Sequence, residues 1–280
     1  MLVQVGGHPG TVHDHGAWVI KSCLETEAMF YHATYHTDPD EEAALIRAKN
    51  ALQDYLPACV GIADPQGVWL PGWPTHASTP PPIPGAYSIA LENLTAPFRH
   101  ANVCDIKLGT ILYNETNPMI SDEKRERMQR KAQETTSAKF GLRITGWCTY
   151  DAATDTMHRT DKQPGRAART KSDVARLLID ALQLKDARYA RIVREAMLPR
   201  LDALRTSLQS IPVQLRSTSV LLVMEGDPVS LNRGRTSPPV DVRLIDLAHS
   251  HWSNTPDEGV QRGLNLLYEL CRDLCTQLLG

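Results

Sequence analysis

Asn102-Val103-Cys104-Asp105-Ile106-Lys107-Leu108-Gly109 is the stretch that decides how the chain is read. Its residues alternate with the period of a strand. Cys104, Ile106 and Leu108 fall on one face, and Val103, Asp105 and Lys107 on the other. The two opposite charges are either a plain surface pair or a device for holding a hydroxyl and a phosphate side by side. Residues 110–113 read as a second strand paired with 103–108. Ser121 is a good N-cap, followed by Asp122 and Glu123, for a charged helix running to about Glu134. Residues 142–150 alternate again and read as a strand. Residues 154–171 read as a basic loop. Within 156–176, Arg159, Lys162, Arg166, Arg169, Lys171 and Arg176 outnumber Asp161 and Asp173. That run reads as a solvated loop, with contact to phosphates or a membrane surface as the alternative. Helices follow at 171–184 and 187–210, the second stopped by Pro212. Strands are expected at 219–224 and 242–247, and a helix over 257–279 closes the chain.

Upstream of the central stretch the elements are shorter. Residues 1–5 read as an apolar strand, 6–10 as a turn, and 17–20 as a strand that ends at Lys21. Helices are expected at 25–34 and 40–55, the latter with Asp and Glu at its start. Residues 64–86, with Pro80-Pro81-Pro82 at the centre, read as a connector. Residues 87–91 form a short strand, left by a polar link at 92–97. Strands early, a hinge, then a mixed second part give an α+β bilobal fold. The boundary falls at 94, with a small nucleotide-binding lobe over 1–94 and a larger one over 95–280. No internal repeat is visible.

Composition bounds the function classes. Residues 1–94 hold three basic side chains (Lys21, Arg47, Lys49) against ten acidic ones, whereas 95–280 hold 27 basic against 22 acidic. A polyanionic ligand therefore sits better against the second part. No run of eighteen apolar residues is present, which argues against a membrane span. The first thirty residues include His8, Asp14, His15, Lys21 and Glu25, unlike a signal peptide. The six cysteines form no C-x-x-C pair, so a reduced intracellular compartment is expected, and Cys271 and Cys275 read as buried thiols.

Phosphoryl transfer needs a cation on the nucleotide phosphates, a carboxylate for the metal, and groups that position the acceptor. Trp18-Val19-Ile20-Lys21 ends an apolar strand in a lysine, with Glu25 and Glu27 on the helix after it. Arg243-Leu244-Ile245-Asp246-Leu247-Ala248-His249 ends another strand in a carboxylate, well placed for magnesium. On the helix after Ser121, Lys124, Arg127 and Lys131 share a face and Arg130 stands at its edge.

These segments, in this order, resemble the inositol polyphosphate kinase family, and within it the fungal multikinases. Asp105, Lys107 and Gly109 match the signature P-x-x-x-D-x-K-x-G, with Ala101 in place of proline. Thr218-Ser219-Val220-Leu221-Leu222 is similar to the family's Ser-Ser-Leu-Leu strand, and Ile245-Asp246-Leu247-Ala248-His249 to its Ile-Asp-Phe-Ala-His. Leu91-Glu92-Asn93-Leu94 looks like the hinge. Glu134-Thr135-Thr136-Ser137, Phe140-Gly141-Leu142-Arg143-Ile144 and Lys21-Ser22-Cys23 with Glu27 fit as well, Ser22 replacing a usual proline.

The resemblance implies a protein-kinase-like fold, an ATP-grasp-like two-lobe arrangement whose larger lobe carries the inositol phosphate site. It implies ATP and Mg2+, with Mn2+ as the substitute. Lys21 and Glu27 would serve the ATP phosphates, Glu92 and Leu94 adenine, and Asp246 with Ser219 the metal. Lys107, Lys124, Arg127, Arg130, Lys131 and His249 would meet substrate phosphates. Arg127 stands where animal multikinases use an amide. Asp105 would act on the acceptor hydroxyl or hold the ribose. The implied reaction converts inositol 1,4,5-trisphosphate to tetrakis- and pentakisphosphate. An inositol trisphosphate 3-kinase, an inositol hexakisphosphate kinase and a kinase-like scaffold for transcription factors are the alternatives, and the short substrate region favours the multikinase. A phosphoinositide head group and transcription factors are candidate partners, a nuclear and cytoplasmic monomer is expected, and direct nucleic-acid binding is not. An ordinary protein kinase is disfavoured: G-x-G-x-x-G, His-Arg-Asp and Asp-Phe-Gly are all missing.

Overall fold

The computed structural model describes residues 10–73, 79–232 and 239–280, so the strand expected at 1–5 lies outside the described residues. Strands β1 (Val12–His15) and β2 (Trp18–Cys23) form a hairpin that turns at Gly16, whose φ is 74°. Helices α1 (Glu25–Tyr35) and α2 (Ala43–Gln53) follow. The second starts later than its acidic residues suggest. Glu41 lies ahead of it and pairs at 2.5 Å with the buried Lys49 ammonium. Strand β3 (Cys59–Ala63), which the sequence reading missed, and β4 (Tyr87–Glu92) complete a four-stranded antiparallel sheet ordered β1-β2-β4-β3.

The second sheet is built on β5 (Ala101–Leu108), whose residues are nearly all buried. The strand expected at 110–113 does not form. Gly109, with φ of 93°, turns the chain out of the sheet, and both edges of β5 are already taken. The charged helix forms as α3 (Asp122–Gln133), its Lys124 amide donating to Ser121 Oγ at 3.2 Å. A short α4 (Thr136–Phe140) and the long β6 (Leu142–Asp151) come next.

The basic loop expected at 154–171 is ordered structure instead. Strand β7 (Thr156–Thr160) pairs with β6, and α5 (Gln163–Ala167) packs on β6 because Gly165 has no Cβ to meet the Ile144 carbonyl. Cross-strand pairing satisfies the backbone of a segment whose side chains gave only a charge signal. Helix α6 (Lys171–Ala181) opens with a Thr170–Asp173 capping box. The single helix expected over 187–210 is α7 (Ala187–Ile192), a π turn (Val193–Met197) and α8 (Leu198–Ser207). Pro199 has no N–H to donate, and the wider turn before it absorbs the break.

Strand β8 (Val213–Gln214), β9 (Ser219–Glu225), the short α9 (Pro228–Asn232), β10 (Val240–Ile245) and β11 (His251–Trp252) precede the closing α10 (Glu258–Leu279). The five-stranded sheet is antiparallel throughout, ordered β10-β9-β5-β6-β7.

Helices cover one face of this sheet. Cys104, Ile106, Leu108, Leu142, Ile144, Val220 and Leu222 join Leu178, Leu201, Leu264 and Leu267 in the main core. The opposite face buries a smaller cluster of Leu94, Ala101, Val103, Cys148 and Val223, which leaves the rest of that face to polar side chains. All six cysteines are free, and burial pushes the Cys271 thiol well above its ordinary pKa, consistent with an inert core thiol. Among the described residues no helix is long and apolar enough to cross a membrane.

Candidate active site

The polar face is organised by register. Lys107 of β5 stands opposite Ser219 of β9 on one side and Arg143 of β6 on the other. Ser219 in turn stands opposite Ile245, one residue before Asp246. A β-bulge between Asp105 and Ile106 gives β6 one extra residue, Thr145, whose hydroxyl donates to the Asp105 carbonyl at 3.0 Å. Without that extra residue Ile144 and Trp147 would not both face the core, so the bulge keeps Arg143 and Cys148 on the polar face.

Lys21, at the middle of β2, donates to Glu27 Oε1 and Asp246 Oδ1, both at 2.8 Å. Burial alone would lower the pKa of this ammonium, but the two carboxylates outweigh it and hold the value above the ordinary range. Glu27 Oε1 also accepts from the Leu247 amide at 3.1 Å. One buried carboxylate thus fixes the lysine and the backbone just after Asp246. Asp246 itself adopts φ of 61°, a left-handed conformation that turns the chain at the end of β10. Ser217 is left-handed too, with φ of 57°, and its carbonyl accepts from Lys107 Nζ at 2.7 Å. Strained backbone at both places is held by surrounding contacts. Arg216 supplies one set, pairing with Glu115 at 2.7 Å and Asp257 at 2.6 Å.

Asp105 is 3% exposed, and among the described residues neither its Oδ1 nor Ser219 Oγ has a hydrogen-bond partner. Burial raises the Asp105 pKa and the Asp246 charge raises it further, while Lys107 and the nearby Thr145 and Ser219 hydroxyls pull it back. Two carboxylates close enough to repel, next to the Ser219 hydroxyl, form an oxygen-rich set that a hard divalent cation would satisfy.

Beyond Asp105 the sign of the charge changes. His249 has its pKa lowered by burial and by Lys124 and Lys107. Lys131 is pushed down to about 8 by burial, then by Arg143, Lys107, Arg166 and Lys162. Of the residues expected to meet phosphates, the structure brings together Lys107, Lys124, Lys131 and His249. Arg127 and Arg130 are exposed, on the outer side of α3, because Lys124, Met128 and Lys131 form its half-buried side. Glu92 ends β4, opposite Trp18, and Leu94 lies in the link between the sheets. The Glu92 amide donates to Ala58 O at 2.8 Å, the Asn93 amide to Ala17 O at 2.9 Å, and Leu94 is buried. Sequence reasoning gave no role to Arg143 or Ser217, and left Lys162 and Arg166 in a basic loop read as solvated, with phosphate or membrane contact as the alternative. The signal for Arg143 was present as a lone arginine inside an apolar strand, Leu142-Arg143-Ile144.

Comparison with known proteins follows the same lines. The model of the family described as inositol polyphosphate kinase matches residues 88–272. The inositol polyphosphate multikinase of Schizosaccharomyces pombe is 30% identical over 271 residues, covering 95% of this chain and 94% of its own. Inositol hexakisphosphate kinase 3 of Mus musculus is 30% identical over 207 residues, 66% of this chain, which spans only 50% of the mouse protein. Among solved structures, the inositol phosphate multikinase Ipk2 of S. cerevisiae, in complex with ADP and Mn2+, superposes with a TM-score of 0.69 at 25% identity. That match covers 92% of this chain and 99% of the other.

Proposed function

The chain belongs to the inositol polyphosphate kinase family, and on that premise we propose that it transfers the γ-phosphoryl group of ATP to hydroxyls of inositol polyphosphates. The observation that carries the reading is the juxtaposition of two charge environments across Asp105. On one side stands the Lys21–Glu27–Asp246 triad, and on the other a group of cations led by Lys107 and Lys131.

In this reading Lys21 neutralises the nucleotide phosphates, while Glu27 keeps it extended. Backbone groups of Glu92 and Leu94 meet adenine. Asp246, Ser219 and the free Oδ1 of Asp105 would hold a divalent cation, magnesium in the proposal. When bound, the cation offsets charge on the phosphate oxygens. Lys107, held by Ser217, faces the phosphoryl group in transit or a substrate phosphate. Lys124, Lys131 and His249 hold further substrate phosphates, and charge-assisted hydrogen bonds of about 1.5–3 kcal/mol each fix the acceptor ring with few contacts. Arg127 and Arg130 guide polyanions from the outer side of α3. Asp105 accepts a hydrogen bond from either the acceptor hydroxyl or the ribose.

The proposal takes the multikinase rather than the hexakisphosphate kinase as its type, since the match to the fission yeast protein extends over both chains. It includes action as a monomer in nucleus and cytoplasm, a phosphoinositide head group as a further acceptor, and transcription factors as binding partners.

The test is product analysis by ion-exchange chromatography after incubation with ATP, magnesium and inositol 1,4,5-trisphosphate. Sequential tetrakis- and pentakisphosphate is the expected result. A halt at one tetrakisphosphate assigns a 3-kinase, and no product overturns the reading. A pull-down with Asp246→Asn separates any binding role from catalysis.

A further inference from the structure

Beyond Asp246 the chain makes a tight turn. The Ser250 amide donates to Leu247 O at 3.0 Å, which makes Ala248 and His249 the central residues. Both ends of this turn are held. The Leu247 amide donates to Glu27 Oε1 at 3.1 Å, and Ser250 Oγ lies 3.1 Å from Thr218 Oγ1. The closing bond does not use the central peptide, whose carbonyl belongs to Ala248. In a four-residue turn that peptide has two settings, with its plane turned over between them, and one of the two needs positive φ at the third residue. Here the third residue is His249, and it is not among the described non-glycine residues of positive φ. A side chain from the other sheet's helix holds this setting. Thr26 Oγ1, on α1, donates to Ala248 O at 2.7 Å.

Thr26 has no local need of this bond. It is exposed, so water would satisfy its hydroxyl as well. The buried contacts between α1 and this segment are made by its neighbours: Glu27 holds the Leu247 amide, and Phe30 stacks on Trp252 with ring centroids 6.0 Å apart. What Thr26 adds is direction. The orientation of the central peptide sets the line along which His249 leaves the backbone. In the observed setting the imidazole is half-buried, and burial lowers its pKa first, with Lys124 and Lys107 near enough to lower it further.

We infer that Thr26 is a positioning residue for the acceptor: by holding the Ala248–His249 peptide it keeps the His249 imidazole beside Lys107 and Lys124, turned toward a substrate phosphate. The inference rests on the kinase reading and deepens it. One turn of α1 then serves both substrates. Glu27 sets Lys21 for the nucleotide, and Thr26 sets His249 for the acceptor, so a shift of α1 is felt at both ends of the site.

The test is steady-state kinetics of the full chain with ATP-magnesium and inositol 1,4,5-trisphosphate. Thr26→Val keeps the shape of the side chain and removes the donor, at an exposed position where folding is not at risk. KM for the trisphosphate should rise by about threefold to tenfold, the loss of one ordinary hydrogen bond, with kcat little changed and KM for ATP within about twofold of wild type. Thr26→Ser keeps the hydroxyl and should restore the wild-type KM. In a His249→Ala background, adding Thr26→Val should change the trisphosphate KM by less than about twofold, because no imidazole remains to be placed. The inference is overturned if Thr26→Val leaves the trisphosphate KM unchanged, or raises it by the same factor with His249 absent. It is also overturned if both KM values rise together, since α1 as a whole has then moved. Wild-type protein that turns over no inositol phosphate refutes the kinase reading, and the inference with it; failure of the Thr26 variants in an active enzyme refutes the inference alone.

Discussion

Replacing Glu27 by alanine tests how the nucleotide end of the site is held together. The Glu27 side chain is 4% exposed and makes two bonds through Oε1: to Lys21 Nζ at 2.8 Å and from the Leu247 amide at 3.1 Å. Removing it leaves the amide of Leu247, a residue with no exposed surface, without that acceptor. An orphaned buried donor costs about 1–3 kcal/mol. Removing one partner of a buried ion pair costs about 3–5 kcal/mol, but Lys21 keeps Asp246 at 2.8 Å, which moves that contribution toward or below its lower end. The two losses share one oxygen and do not add fully, so the expected destabilisation is about 3–5 kcal/mol. Glu27→Gln keeps an acceptor for the amide and loses the charge, and should cost about 1.5–3 kcal/mol. Urea unfolding with a common m-value measures both. In the same variants KM for ATP should rise, because Lys21 is no longer held extended from the α1 side. A Glu27→Ala protein within about 0.5 kcal/mol of wild type, the range of an ordinary surface change, would refute the assignment of Glu27 as the tie between α1 and the end of β10.

Asp246→Asn should lower turnover by about a thousandfold with little change in fold, since the loss is electrostatic. Near wild-type turnover under saturating metal sinks the metal role. Lys131, held down to about 8, should lose its proton as pH rises from 7 to 9, so phosphate-ligand affinity should fall over that range, and Lys131→Met should remove this step. The linked stability has the opposite sign. Between about 8 and the ordinary 10.5 the unfolded chain binds more protons, so stability contributed by this group rises with pH. Gly165→Ala drives a Cβ into the Ile144 carbonyl, so α5 must shift, at a cost of about 1–3 kcal/mol by urea unfolding, with weaker binding of phosphate ligands. An unchanged midpoint and affinity would show that α5 has room to give.

The relation of these residues to the sequence is uneven. The alternation in 102–108 placed Cys104, Ile106 and Leu108 in the core and Asp105 and Lys107 opposite, because strand period and burial are local properties that side-chain chemistry records directly. The Ser121 cap and α3 were legible for the same reason, and so were the strands that carry Lys21 and lead to Asp246, although β2 runs on to Cys23 and β10 stops at Ile245. The family could be read from four short segments in order, since chemistry restricts residue type at those positions more tightly than packing does elsewhere.

Other features had no local signature. Strand β3 and the pairing of β7 depend on partners far along the chain, and the charges of 156–176 hid the strand among them. The strand expected at 110–113 failed because β5 had no free edge, a property of the assembled sheet. Which side of α3 faces the site was not given by the spacing of its cations; the buried Ala132 and half-buried Met128 decide it through packing. The sequence by itself determined strands β2, β4, β5, β6, β9 and β10, the Ser121 cap and the kinds of side chain needed for phosphoryl transfer. Only the tertiary structure set Lys21 against Asp246 across 225 residues, and Arg143 against Lys107 across a bulged ladder. Coulombic interaction depends on distance in space, and no pattern along the chain encodes that distance.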